Sequence, residues 1–509
     1  MKIHRLKIID SPSRPLLNGV ELFFYDGSNN SANPNCFIGV NGTGKSQVLE
    51  TLAEIFYYLD KIYGNPNNLS IVIDSPLLFE LDYSLTIRKK KYLVEVKQQN
   101  IKSKAPEIFI TSKGKEVEWF VETMHQFLPT KVVAYTSGDN ETLSFPFMDY
   151  YDEYADYTAK RAFGTIEGED YEPRFYLMDY TTNIGVVISN LVYSGSRKLK
   201  KLLSTDNLKS LRSFQLIIQT KQTAAPSGGI VLTEDLEKWI GILKAVATCY
   251  EYSQKENRHT LDFYNNKATK DALNHFFKKP IEFYTALYKI ELLNNLLVED
   301  KYLREIKRKR RSRKALIRNP VVPDKDKVLH YSEIKLRHSS GELINYLSLS
   351  DGEHQYMNVF GTVLMIDFEN SLFLLDEPET HFNPIWRREF IKMLDEIVKG
   401  RKQDFFITSH SPFVVADSKR EKVYVFKKDQ KGKLHVDQPS NETYGSNFDY
   451  ILKMAFEMDN TISEKSLEEL LKLQKSSSIK NIENSIGKFG ESSEKFYVLR
   501  RLHELKSSK

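Results

Sequence analysis

Lys45 and Ser46 close the stretch Gly39-Val40-Asn41-Gly42-Thr43-Gly44-Lys45-Ser46, which fits the pattern G-x-x-x-x-G-K-[ST]. Glycines at this spacing let backbone N–H groups turn inward around phosphates, and a following helix points its positive N-terminus at them. Lys45 is placed to reach the β- and γ-phosphates, and the Ser46 hydroxyl to take a Mg²⁺ position. The expected ATP-contacting set is Gly39, Asn41, Gly42, Thr43, Gly44, Lys45, Ser46 and Gln47. A chance glycine turn is the plain alternative. It loses weight because the apolar run "NCFIGV" precedes the loop and a helical pattern of Val48, Leu49, Leu52, Ile55, Phe56 and Leu59 follows it.

Three further stretches complete the chemistry. The apolar run Leu372–Leu375 ends in Asp376 and Glu377. Asp376 can hold Mg²⁺ directly or through water, and Glu377 is placed to orient or deprotonate an attacking water. In "LSLSDGEHQ", Ser350 and Gly352 stand just before an expected helix from Glu353 to Met365. A hydroxyl and glycine N–H groups at a helix start form a second anion site. One triphosphate does not need two such sites in one chain, so this one is expected to cap the γ-phosphate held by a partner's loop. Helix caps often look the same; the position shortly before Asp376 is what distinguishes it. His410 ends the apolar run Phe405–Thr408 and is read as a γ-phosphate sensor, against the plainer reading of a structural histidine.

The elements that must position these residues follow from the pattern around them. "KIHRLKII", "ELFFYD" and "NCFIGV" read as strands, and "LLFELDYSLTI", "YLVEVKQ" and "EIFITSKGKEVEW" as an antiparallel side sheet. Residues 141–330 read as a mainly helical insertion, with helical patterns at "NIGVVISNLVYSG", "TEDLEKWIGILKAVATCYEY" and "PIEFYTALYKIELLNNLLVEDKYLREI" and short strands at "FQLIIQT" and "TLDFY". No heptad is sustained. The expected division is 1–140 with the phosphate loop, 141–330, 331–442 with the second anion site and the carboxylates, and a helical tail 443–509 carrying Val498, Leu502 and Leu505 on one side.

With 509 residues, 41% hydrophobic and 28% charged, the chain reads as a multidomain globular protein. No run of about 18 apolar residues and no signal-like start occurs, so a cytoplasmic protein with no membrane contact is expected. Cys36 and Cys249 are the only cysteines, which excludes a disulfide scaffold or a cysteine-rich zinc site. A net charge of +5 is too mild to argue for nucleic acid alone.

Taken together, these motifs resemble the ABC-type ATPase heads of the SMC, DNA-break-repair and OLD group. "DEPETHFNP" and "ITSHSPF" look like the OLD-related bacterial ATPases. "NPNCFIGVNGTGKSQVLETLAEIFYYL", "AYTSGDNETLSFPF" and "LSDGEHQ" are similar to the restriction-system-associated AAA-family ATPases and to the Septu-type anti-phage ATPases. The resemblance implies an α/β P-loop head with an antiparallel side sheet, an inserted region and a helical tail. It also implies ATP and Mg²⁺, a homodimer or higher oligomer closed on ATP, and a separate nuclease effector; the helical tail is a candidate dock for that effector, against the plainer reading of helices packed on the second ATPase lobe.

Several departures matter. No glutamine loop stands out, although Asn140 or Glu141 of "TSGDNE" occupies about that place. The zinc hook and long coiled coil of the break-repair heads are missing, and no Asp-x-Asp pair follows His410 as a Toprim nuclease would need. The basic run Lys307, Arg308, Lys309, Arg310, Arg311, Arg313 and Lys314 is either a solvated charged face or a sequence-independent contact to nucleic acid. The expected function is therefore ATP hydrolysis controlling a defence nuclease, with a DNA-repair clamp that acts without an effector as the alternative.

Overall fold

The computed structural model describes residues 1–24, 33–64, 75–100, 105–137, 142–168, 170–179, 183–193, 208–221, 229–298, 300–311, 320, 322–458 and 462–507. The described chain divides into two compact units, Met1–Gly445 and Ser446–Lys509. The fold is α/β, with three sheets in the first unit.

The central sheet has seven strands, in the order Leu434–Asp437, Val423–Lys428, Asn35–Ile38, Asp404–Thr408, Leu372–Asp376, Val132–Thr136 and Phe175–Met178. All neighbours run parallel except the hairpin of the first two. Strands Asn35–Ile38, Asp404–Thr408, Leu372–Asp376, Val132–Thr136 and Phe175–Met178 are buried on both faces, so they read as apolar runs rather than alternations. The register puts Asp376 opposite both Thr408 and Thr136, and Thr408 opposite Phe37. The strands therefore finish together, which brings the phosphate loop, the two carboxylates and His410 to one sheet edge.

The side sheet joins six antiparallel strands: Glu21–Phe23, Lys2–Asp10, Leu78–Ile87, Lys90–Gln98, Glu107–Ser112 and Lys115–Glu116. Alternation buries Phe79, Leu81, Tyr83, Val94 and Val96. The helix Lys45–Tyr63 behind the phosphate loop is pinned by Arg14, only 1% exposed, whose guanidinium bonds Glu50 at 2.8 Å and Glu54 at 2.5 Å. Losing one partner of such a buried pair costs about 3–5 kcal/mol.

The third sheet orders Cys249–Ser253, Arg258–Tyr264, Leu208–Gln219, Leu329–His338 and Leu343–Asn345, all antiparallel. Strands on both sides of residue 330 thus share one sheet. The helical pattern expected to run through "ATCYEY" stops at Val246; Ala247 turns extended at φ −63°, ψ 143°, and Cys249–Ser253 pairs as an edge strand. The helix Asn183–Val192 packs on the helix Asp351–Met365, where Asn190 Nδ2 donates to the Gly361 carbonyl at 2.9 Å.

The second unit consists of helices Phe448–Phe456, Glu464–Gln474, Ile479–Ile486 and Ser493–Ser507. Leu470, Leu473, Ile482 and Val498 form its core, with Leu502 and Leu505 packed against them.

Candidate nucleotide site

The phosphate loop leaves its strand at Gly39, whose φ is 139°. A Cβ there would lie 2.3 Å from the Phe426 carbonyl oxygen, so only glycine fits. Thr43 Oγ1 donates to the Val40 carbonyl at 2.8 Å and closes the loop on itself. Gly44 caps the helix in the left-handed region and contributes no side chain, so the helix N-terminus is open to an anion. Asn41 and Gly42 are exposed on the rim.

Lys45 Nζ donates to the Gly39 carbonyl at 2.9 Å and the Val40 carbonyl at 3.2 Å. Burial lowers its pKa, with Glu377 and Asp376 pulling the other way. Ser46 Oγ donates to Asp376 Oδ1 at 2.7 Å, and the same carboxylate oxygen accepts from Thr408 Oγ1. Burial still pushes the Asp376 carboxyl up despite those two donors. Glu377 sits in the left-handed region at φ 48°, a conformation that costs about 1–2 kcal/mol outside glycine. Its N–H is held by Thr408, at 3.2 Å to the carbonyl and 3.0 Å to Oγ1. Its carboxylate faces His410, with Oε1 3.3 Å from Nε2. The hydrogen bond to His410 lowers the Glu377 pKa.

Ser350 and Gly352 are built differently. Ser350 caps the helix Asp351–Met365 in a capping box: its Oγ accepts from Glu353 N at 3.3 Å, while Glu353 Oε2 accepts from Ser350 N at 2.7 Å and from Ser350 Oγ at 2.8 Å. Gly352 passes beneath the turn after Glu377: a Cβ there would meet the His381 carbonyl oxygen at 2.7 Å. The next residues bond that turn too, as His381 N donates to Gln355 Oε1 at 2.9 Å. The bonds described for Ser350 run within its own cap, not to the phosphate loop of the same chain.

The residues present fit a Mg²⁺–triphosphate. Ser46 and Asp376 offer hard oxygens, and Asp376 lacks a nearby cation strong enough to offset its burial. Gln47 Oε1 is buried with no hydrogen-bond partner among the described residues. Among the described residues no three His, Cys, Asp or Glu converge as a metal cluster, and Mg²⁺ shared with phosphates needs only one or two protein ligands.

The sequence reading did not single out Thr408, Ser409, Glu379 or Gln355, all of which bond site residues or their turns. Their sequence signal is membership of the stretches "DEPETHFNP", "ITSHSPF" and "LSDGEHQ", beside Glu377, His410 and Gly352. Asn140 and Glu141 lie outside the described residues. So do Arg313 and Lys314. The helix Asp300–Arg311 carries the rest of the basic run, with Arg308 exposed and Lys309 paired to Glu305 at 2.6 Å. Cys36 is a buried thiol 3.1 Å from Ser418 Oγ, and burial pushes it up to about 12. No helix among the described residues is long and apolar enough to cross a membrane.

Residues 250–416 match a family model described as "AAA domain, putative AbiEii toxin, Type IV TA system". That span holds Ser350, Asp376, Glu377 and His410, and stops short of the phosphate loop's own segment. Protein ea59 of Escherichia phage lambda is 27% identical over 143 residues, 28% of this chain. The match spans 25% of that relative's length. Among solved structures, the SMC head domain from Thermotoga maritima is 9% identical, covering 87% of this chain and 100% of that one at a TM-score of 0.33. An Smc head domain with an extended coiled coil, bound to the C-terminal domain of ScpA and derived from Pyrococcus furiosus, is 11% identical, covering 86% and 96% at a TM-score of 0.31. Over residues 250–416 the chain is therefore similar to an AAA domain.

Proposed function

We propose that this chain hydrolyses ATP to ADP and phosphate, and that two copies must meet for each triphosphate to be enclosed. The observation that carries the hydrolytic reading is one cluster at the end of the parallel sheet: Ser46 Oγ 2.7 Å from Asp376 Oδ1, and Glu377 3.3 Å from His410. Phosphate-loop amides and Lys45 bind and orient the triphosphate. Ser46 and Asp376 would hold Mg²⁺, which when bound would supply charge neutralisation for the triphosphate. Glu377, kept ionised by His410, orients and deprotonates the water for in-line attack. His410 is thereby poised to feel the γ-phosphate through the carboxylate it touches.

The second copy enters because Ser350 and Gly352 form a helix-start anion site whose described contacts lie away from the chain's own phosphate loop. Isologous pairing would set each such site over the partner's γ-phosphate. In this reading nucleotide state opens and closes the dimer, as the control element of an anti-phage defence system with a separate nuclease effector. The family resemblance, the toxin–antitoxin description of the matching domain and the phage relative support that setting. The helix holding Arg308 is the candidate DNA contact, and the Ser446–Lys509 helices are the candidate effector dock.

The test is Glu377→Gln. It should keep ATP affinity, lose turnover by about 100-fold or more, and accumulate ATP-bound dimers on a sizing column. Unchanged turnover with no dimer shift would remove Glu377 from the role.

A further inference from the structure

Glu379 lies on the turn beyond Asp376 and is only 3% exposed. Its Oε1 accepts from Ser409 Oγ, while Oε2 is buried with no hydrogen-bond partner among the described residues. Ser409 Oγ also accepts from Ser411 N at 2.9 Å, so one hydroxyl braces both flanks of His410. Ser409 N donates to the Phe37 carbonyl at 3.0 Å, which fixes this segment on the phosphate-loop strand. The Glu379 carbonyl accepts from Phe382 N at 3.0 Å and from Arg387 Nε at 3.3 Å, so its own backbone is anchored as well.

One residue earlier on the His410 segment, the pattern repeats. Thr408 Oγ1 donates to Asp376 as Ser409 Oγ donates to Glu379. Two adjacent hydroxyls thus clasp two carboxyls, Asp376 at the strand end and Glu379 on the turn, and the residues next to these clasps, Glu377 and His410, face one another. A buried carboxyl with one oxygen left unpartnered is an expensive way to fill space. Met of similar volume would fill it at lower cost, so the acceptor oxygen points to a specific task.

We infer that Glu379 is a positioning residue of the hydrolytic centre: its carboxyl holds Ser409, and through it the segment bearing His410, against the turn bearing Glu377. The inference rests on the reading of Glu377 as the residue that activates water. None of the hydrogen bonds described for Glu379 reaches Gly39–Ser46, so it acts through Ser409 and not on the nucleotide. A displacement of His410 by about 1 Å is enough to cost one to two orders of magnitude in rate.

The test compares Glu379→Ala, Glu379→Gln, Ser409→Ala and the Glu379→Ala/Ser409→Ala double variant in the full chain, with Glu377→Gln as reference. Turnover, KM, affinity for a fluorescent ATP analogue and Tm are measured for each. Glu379→Ala and Ser409→Ala should each lower kcat about 10- to 100-fold, with KM and analogue affinity within about two-fold. The double variant should be no worse than either single one. Glu379→Gln, which keeps an acceptor oxygen, should restore most of the rate. Ser409→Ala removes a single oxygen and keeps the test open if Glu379→Ala folds poorly. If Glu377→Gln abolishes turnover while Glu379→Ala and Ser409→Ala stay within about two-fold of the parent, the positioning role is overturned. Additive losses, or a Glu379→Gln variant as slow as Glu379→Ala, overturn it too. If Glu377→Gln itself turns over normally, the reading of Glu377 fails and this inference falls with it.

Discussion

The phosphate-loop end of the sheet and the Ser350 helix start, the two proposed anion sites, are wired in opposite ways. Lys45, Ser46, Asp376, Glu377 and His410 are cross-linked through Thr408 and loop carbonyls, and most of the linking atoms are buried. Ser350 is exposed, and its described bonds stay within one helical turn. In the proposed reading the first region is the pre-organised half that binds and cuts. The second presents an N-terminus outward and meets the first at the shared turn at His381, where Gly352 and Gln355 touch it. A half-site that is finished and a half-site that is merely displayed are what a two-copy closure requires. The contact at His381 also offers a short mechanical route between them.

The largest expected effect lies at the finished half. Lys45→Ala should weaken ATP binding by roughly 100-fold, because a charge-assisted contact to phosphate is lost in a partly dry site; equilibrium titration checks it, and unchanged affinity would mean the triphosphate sits elsewhere. Gly352→Ala probes the link between halves. Its new methyl must displace the His381 carbonyl, at a cost of about 2 kcal/mol. Tm should fall, while ATP still binds the phosphate loop. A variant with parental Tm would show that the close approach is relaxed in solution.

The next effect is a pH dependence. Burial, with Glu377 adding to it, pushes the Glu379 carboxyl up to about 7, against the pull of Ser409 and Arg387. Tyr135 and Cys36 also feel this charge. A folded pKa above the unfolded value means the native state binds more protons between the two. Its contribution to stability is therefore complete below about pH 4.5 and is lost as pH rises through 7. Glu379→Gln should remove that pH dependence, on the order of 3 kcal/mol between about pH 4.5 and 7, in denaturant titrations. A parallel pH profile for parent and variant would show that the group titrates normally. Smallest is Ser350→Ala, which removes the helix cap at about 1 kcal/mol and leaves phosphate-loop affinity untouched.

Much of this edge was legible because its chemistry constrains residue types locally. Lys45 and Ser46 follow glycines that a tight loop demands, and Asp376 follows an apolar strand that must be buried. Gly352 was legible as a motif letter, but its physical reason lay elsewhere: the His381 carbonyl, 29 residues away, leaves no room for a Cβ. Thr408, Ser409 and Glu379 look like ordinary polar residues until the parallel register sets the Asp404–Thr408 strand beside Leu372–Asp376. The strand Phe175–Met178 joins the central sheet only through pairing with Val132–Tyr135, which no local period announces. "CYEYS" failed in the other direction: helical spacing carried past Ala247, where the chain turns extended, and an aromatic edge strand was read as more helix. Arg14 gave no signal at all, since a buried cation is recognisable only beside Glu50 and Glu54.

The most direct measurement mixes two dead variants. Lys45→Ala has an intact Ser350 side and a failed phosphate loop; Ser350→Arg has the reverse. Combined in equal amounts, half the dimers should carry one complete composite site, so turnover should recover to about a quarter of the parent rate. No recovery, with both variants folded and mixed dimers demonstrated, would contradict a site shared between two copies.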